Sequence, residues 1–124
     1  MAERNEIGKE GERLARRHLE EQGYQIRHTN WHWRHYELDI VATKGDELVV
    51  VEVKTRSSDY WVAPENAVDS GKIRRIVAAA DAYVRRFNLS MPVRFDLMLL
   101  THKQGRFQIE QIEDAFYAPC RGWQ

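Results

Sequence analysis

A single cysteine, Cys120, stands among the 124 residues, which excludes an internal disulfide framework and a cysteine-built structural zinc site. Three prolines and seven glycines are too few for a collagen-like or low-complexity chain. Long apolar runs are missing. A stretch such as Leu48 to Val51 falls far short of the roughly 20 residues a membrane-spanning helix needs, so no membrane association is expected. Net charge is missing too, nineteen basic residues balancing nineteen acidic ones, so whole-chain charge gives no argument for a nucleic-acid partner. The opening MAERNEIGKEGERL holds no apolar signal-peptide core. A cytoplasmic location is the simplest expectation.

What is present is a globular composition, 43% hydrophobic and 31% charged, sized for one domain over residues 1–124. Ala2 to Gln22 has the period of an amphipathic helix, with Ile7, Gly11, Leu14, Ala15 and His18 on one side and Gly23 in a stop position. Tyr24 to His28 suits a strand, and the aromatic, polar stretch from His28 to His35 suits an irregular strand end or loop. Tyr36 to Thr43 alternates, placing Leu38, Ile40 and Ala42 on one face, and Leu48 to Thr55 has the valine density of a buried central strand. Gly45-Asp46 between them suits a two-residue type II′ hairpin. Ser70 or Asn66 is placed to cap a helix running to about Phe87, with Ile73, Ile76, Val77, Ala80, Val84 and Phe87 on its apolar side. After Pro92, Val93 to Leu100 and Arg106 to Ile112 form two further strands around a Lys103–Gly105 turn. The expected order is α-β-β-β-α-β-β, an α/β mixed sheet with an antiparallel start and a helical crossover into strand four.

The hairpin carries the chemistry. With Gly45 and Asp46 as its loop, Lys44 faces Glu47, Val41 faces Val50, Asp39 faces Glu52 and Glu37 faces Lys54. Asp39 and Glu52 then have Cβ atoms roughly 5 Å apart, and Lys54 lies on the same face roughly 7 Å further along. Two opposed carboxylates repel, and a hard divalent cation removes the repulsion because Mg²⁺ or Mn²⁺ takes one or two carboxylates and several waters. The Val53 carbonyl, between Glu52 and Lys54, is a further candidate ligand. A lysine beside such an ion orients or deprotonates an attacking water, so the set suits phosphodiester hydrolysis. The competing reading makes Glu37 and Lys54 an ordinary surface ion pair, and Asp-x(12)-Glu-x-Lys is a loose pattern by itself.

The combined motifs are more specific. Gly11-Glu12-x-x-Ala15, Gly23-Tyr24, Asn30, Glu37-Leu-Asp39-Ile-Val-Ala42, Val50-Val-Glu52-Val-Lys54-Thr-Arg56, Lys72-Ile-Arg-Arg75, Ala80-x-x-Tyr83 and Arg94-Phe-Asp96 together resemble the YraN family. That bacterial family of uncharacterised proteins is similar to Holliday-junction resolvases and other nucleases of the PD-(D/E)-x-K superfamily. The resemblance implies a restriction endonuclease-like core, a mixed central sheet flanked by helices. It implies that Asp39 and Glu52 are metal ligands, that Lys54 is the catalytic lysine and that Glu12 joins the active site from the first helix. Relatives that resolve junctions work as dimers, so a homodimer is a further expectation. Two positions depart from the pattern: Tyr36 stands where the family usually has glycine, and Leu38 where the superfamily name has proline.

Between Val53 and Arg94, eight basic residues face four acidic ones, a local excess suited to DNA phosphates. Arg56 and Ser57 follow the acid-bearing strand and are expected to border the site; Lys72 and Arg75, with Arg74, Arg85 and Arg86, are further from the acids in sequence. Trp31 and Trp33, with Arg27 and Arg34, suit either core anchoring or stacking on unpaired bases. His28, His32 and His35 match no helix-face ligand pair and lack a cysteine partner, which disfavours zinc. Asp96 is expected to be a structural acid or one that supports the site from behind its ligands. The leading expectation is a metal-dependent endonuclease acting on branched or damaged DNA. The alternative is a nucleic-acid-binding module or protein-interaction scaffold that keeps the nuclease fold without cutting.

Overall fold

The computed structural model describes residues 2–57 and 68–116. Helix α1 (Ala2–Glu21) leads into three strands, β1 (Gln25–Trp33), β2 (Tyr36–Lys44) and β3 (Glu47–Ser57). Helix α2 (Ser70–Arg86) follows, then β4 (Val93–Lys103) and β5 (Arg106–Phe116). The order is the expected α-β-β-β-α-β-β. The strands make one five-stranded sheet in sequential order. Every neighbouring pair is antiparallel except β3 and β4, which run parallel. A parallel pair needs a crossover, and α2 lies in it.

The helices cover opposite faces. Ala15 and Leu19 of α1 are buried in one cluster with Ile40, Ala42, Val49, Val51, Met98 and Leu100. Ile76, Ala79, Ala80 and Tyr83 of α2 are buried in another with Leu38, Val41, Leu48, Val50 and Phe95. β3 contributes to both clusters, which is why its sequence is a continuous apolar run instead of an alternation. The α2 periodicity located the right side of that helix but left out Ala79 and Tyr83, the latter fully buried at its centre.

Two local expectations change, and one that was open is decided. The cap of α2 is Asp69, whose side chain accepts from the Lys72 backbone N–H at 2.8 Å; Ser70 is already helical, and Asn66 lies outside the described residues. An aspartate caps as well as a serine, and its charge suits the positive end of the helix. Of the two readings of the aromatic segment, an irregular strand end or a loop, the strand holds up to Trp33, which pairs with Tyr36 of β2. A register shift between Ile26 and His28 and a left-handed Asn30 (φ 52°) disguise its period of two. Strands β4 and β5 are longer than expected, their hairpin closing on Gln104 and Gly105 with φ of 52° and 75°, the signs a type I′ turn requires. The β2–β3 hairpin has positive φ at Gly45 alone, 57°, as a type II′ turn requires.

Candidate active site

β2 and β3 pair in the register read from the sequence, from Lys44–Glu47 as far as Ile40–Val51. There the ladder stops. In a two-residue hairpin, Lys44 and Glu47 exchange both backbone hydrogen bonds, as does every second pair beyond them. The next exchange would join Leu38 to Val53. Instead, the Val53 N–H donates to Asp39 Oδ2 at 2.8 Å. A carboxylate takes the place of a backbone acceptor, and Asp39 is held at the fork where β2 leaves β3.

The fork also turns β2 over. Leu38 and Val41 pack together on the α2 side while Ile40 and Ala42 pack on the α1 side, so Leu38 does not share a face with Ile40 and Ala42 as simple alternation predicts. β1 breaks at the matching place. His28 and Trp31 both reach the Tyr83 ring, at 5.4 and 5.0 Å between centroids, with the left-handed Asn30 between them.

Glu52, on the α2 side of β3, is only 8% exposed. Lys72 Nζ lies 3.2 Å from its Oε2. Burial first, and then the charge and hydrogen bonding of Asp39, push the Glu52 carboxyl up to about 8 from 4.5 against the opposing pull of Lys72. Glu52 therefore keeps its proton near neutrality. Glu12 approaches from the other side of the sheet, half-buried, its carboxyl raised by burial and then by the charges of Asp39 and Glu37. Its delivery depends on Gly11, since a Cβ there would overlap Thr55 Oγ1 of β3. Gly11 is buried and lets the helix lie directly on the strand.

The structure thus brings Glu12, Asp39 and Glu52 to one end of the sheet. Lys54 is exposed, two positions beyond Glu52 on the same side of β3, and enters no ion pair among the described residues. The expected Glu37–Lys54 opposition does not form, because β2 has already diverged. Glu37 sits instead 3.7 Å from His32 Nε2. In a strand, N–H and C=O of one residue point to the same side, so the Val53 carbonyl faces the fork as its N–H does. Arg56 reaches Thr101 Oγ1 at 3.3 Å, Ser57 is exposed at the end of β3, and Arg75 is exposed on α2. The expected loop residues Ser58, Tyr60 and Trp61 lie outside the described residues. Tyr36 fills its unusual position by packing on Trp33, 5.7 Å between centroids.

Lys72 is the residue whose place the sequence reading missed. Distance along the chain put it away from the acids, yet the crossover brings the first turn of α2 to Glu52. The signal was available: a helix joining two parallel strands starts beside the C-terminal end of the first. Asp96 is fully buried and is held by Arg94 at 2.9 Å, by Gln111 at 3.0 Å and by the Asp114 N–H at 3.1 Å. It is a structural acid, one of the two expected roles.

Two carboxylates and an outward carbonyl are hard oxygen donors, the set that suits Mg²⁺ or Mn²⁺. Among the described residues, no three His, Cys, Asp or Glu side chains are gathered to hold a metal ion. The fit is therefore to a site that completes its shell with water and substrate, the usual habit of Mg²⁺, and not to an all-protein cage.

The fold and site define a mixed α/β protein with paired carboxylates at a fork in its sheet, flanked by two lysines. Residues 11–100 match the uncharacterised protein family UPF0102, and the chain belongs to that family, the YraN family its motifs resemble. It is 64% identical over 121 residues to a UPF0102 protein of Parabacteroides distasonis, covering 98% of this chain and 100% of the relative. A UPF0102 protein of Bacteroides thetaiotaomicron is 56% identical over 96% of this chain and 98% of its own. One from Flavobacterium psychrophilum is 44% identical over 94% and 98%. No helix among the described residues is long and apolar enough to cross a membrane.

Proposed function

We propose that this protein is a metal-dependent nuclease that hydrolyses phosphodiester bonds in DNA, on branched or damaged structures. The observation that carries this reading is the carboxylate pair at the fork: Asp39 fastened by Val53, beside a buried Glu52 that keeps its proton. A buried carboxyl set against a second carboxyl costs stability and serves no packing purpose, and clustered carboxyls of this kind are candidates for a functional site. The resemblance to resolvase-like nucleases supports the same roles.

Asp39 and Glu52 would hold Mg²⁺ or Mn²⁺, with the Val53 carbonyl as a further donor. When bound, the cation polarises the phosphoryl oxygen and lowers the pKa of coordinated water. Asp39 keeps one oxygen on the Val53 N–H, so its remaining oxygen is directed by a rigid strand. Glu52 must give up its proton to become a ligand, and Lys72 favours that ionised form. Lys54 positions the attacking water or meets the charge that develops on the phosphate. Glu12, whose carboxyl is raised, is placed to accept a proton from that water or to bind it. Arg56, Ser57, Lys72 and Arg75 lie along the α2 side and the end of β3 as phosphate contacts.

The test incubates nicked, flapped, branched and single-stranded DNA with pure protein and Mn²⁺, beside Glu52→Ala prepared identically. Cleavage by wild type alone is the expected result. Cleavage that persists in the variant would assign the activity elsewhere, and DNA binding with no cleavage of any substrate would favour the non-cutting module.

A further inference from the structure

The sheet edge beside the acids has a second feature. A groove of about 710 Å³ runs between β1 and α2, with Trp31 and Trp33 on one wall and Ala78, Ala82, Arg85 and Arg86 on the other. This volume is in the range of ligand-binding clefts. The two tryptophans are half-buried. Trp31 is anchored edge-on against Tyr83. Trp33 is braced by Tyr36, and the Arg34 guanidinium lies 4.7 Å from the centre of its ring. The alanines opposite leave room for a flat group.

Charge around the groove is unequal. Asp81 pairs with Arg85 at 3.0 Å and His32 with Glu37 at 3.7 Å. Arg34 and Arg86 are exposed and enter no ion pair among the described residues, which leaves an excess of cation beside the aromatic wall. Aromatic faces beside arginines bind unpaired bases and the phosphates that link them. The groove also adjoins the acids. Trp31 pairs with Leu38 and His32 with Glu37, so the wall of the groove stands one strand spacing, about 4.8 Å, from the two residues that precede Asp39.

We propose that this groove binds unpaired bases of single-stranded DNA, with Trp33 as the stacking platform and Arg34 and Arg86 as phosphate contacts. The choice of DNA as partner rests on the nuclease reading; the stacking geometry stands without it. A strand held there would leave its duplex portion toward the fork, and a junction between paired and unpaired DNA would be the preferred substrate.

The test uses the full chain carrying Glu52→Ala in EDTA, so that neither cleavage nor metal enters. A labelled oligo-dT, an abasic strand of equal charge, oligo-U and a matched duplex are titrated against it. Oligo-dT should quench tryptophan fluorescence and bind at least about fivefold more tightly than the abasic strand. Trp33→Leu should remove that advantage and Trp33→Phe should restore most of it, while a circular dichroism spectrum unchanged from the parent shows that the fold survives. Arg86→Glu should weaken both strands and reduce the single-strand salt slope by about 0.7. Equal affinity for dT and abasic strands, or an unaffected Trp33→Leu, overturns the proposal. Tighter binding of oligo-U than of oligo-dT overturns its assignment to DNA. Stacking without any cleavage by the wild type with Mn²⁺ would leave the groove standing and remove the nuclease reading; cleavage without stacking would do the reverse.

Discussion

At the scale of single residues, Glu52 and its two neighbours govern what the site does at a given pH. The folded chain holds a proton on Glu52 up to about 8, whereas an unfolded glutamate releases it near 4.5. Between those values the folded state binds more protons, so this group's contribution to stability is fully present below the lower value and is lost as pH rises through the upper one. In EDTA, the melting temperature should fall between about pH 5 and about pH 8.5, and Glu52→Gln should flatten that slope. Mn²⁺ added at the alkaline end should restore stability to the wild type and not to the variant. Lys72 supplies a second contrast. Its ammonium lies 3.2 Å from the Glu52 oxygen that a cation would take once Glu52 is ionised, so it competes with a bound cation. Lys72→Met should tighten Mn²⁺ binding in calorimetry by roughly tenfold, the scale of one charge contact, and weakened binding would show that Lys72 organises the acids instead. Lys54→Ala should leave Mn²⁺ affinity within about twofold, since Lys54 touches neither acid, and lower turnover alone by the roughly 100-fold or more that a positioned acid–base group contributes.

At the scale of elements, the critical contact is α1 lying on β3. Glycine inside a helix costs about 1 kcal/mol relative to alanine, yet Gly11 sits in the middle of α1. The contact with Thr55 explains it. Gly11→Ala should gain helix propensity and lose more through overpacking, a net cost of about 1 kcal/mol in urea denaturation. Combined with Thr55→Ala, the substitution should become neutral or stabilising, and a double-mutant cycle with no coupling would show that the two residues do not meet. Because the same contact sets the depth of Glu12, Gly11→Ala should also reduce cleavage more than it reduces DNA binding.

At the scale of the whole molecule, one buried network joins pieces distant in sequence. Arg94 contacts Asp96, Glu47 at 3.2 Å and the Tyr24 hydroxyl, and Gln111 reaches both Asp96 and Tyr24. It ties the chain after α1, the start of β3, and strands β4 and β5 together. Its charge partners hold the Arg94 guanidinium well above its ordinary value. Asp96→Ala would leave the Asp114 N–H without its acceptor and take from Arg94 its buried partner, with Glu47 at 3.2 Å and Glu113 at 3.6 Å remaining, at a cost of roughly 1–3 kcal/mol. Urea unfolding should show that loss with an unchanged slope. A loss below about 1 kcal/mol would mean that water reaches Arg94 readily.

Element order, the hairpin register and the helix faces were legible in the sequence, because each follows from local periodicity and from a turn of two residues. Pairing by hairpin arithmetic held from Lys44–Glu47 to Ile40–Val51 and stopped short of the expected Asp39–Glu52 pair, whose carboxyls meet instead at the fork. What local pattern could not give was the fork. Asp39 accepting the Val53 N–H, the turning over of Leu38, and Asn30 in a left-handed conformation arise where two strands separate, and a period of two carries no record of that. Lys72 was invisible for a different reason: its nearness to Glu52 is made by the crossover, through contacts between residues twenty apart. The burial that holds a proton on Glu52 likewise belongs to no segment of sequence. It exists only when α2 closes over β3 and excludes the water that would otherwise keep the Glu52 carboxylate ionised.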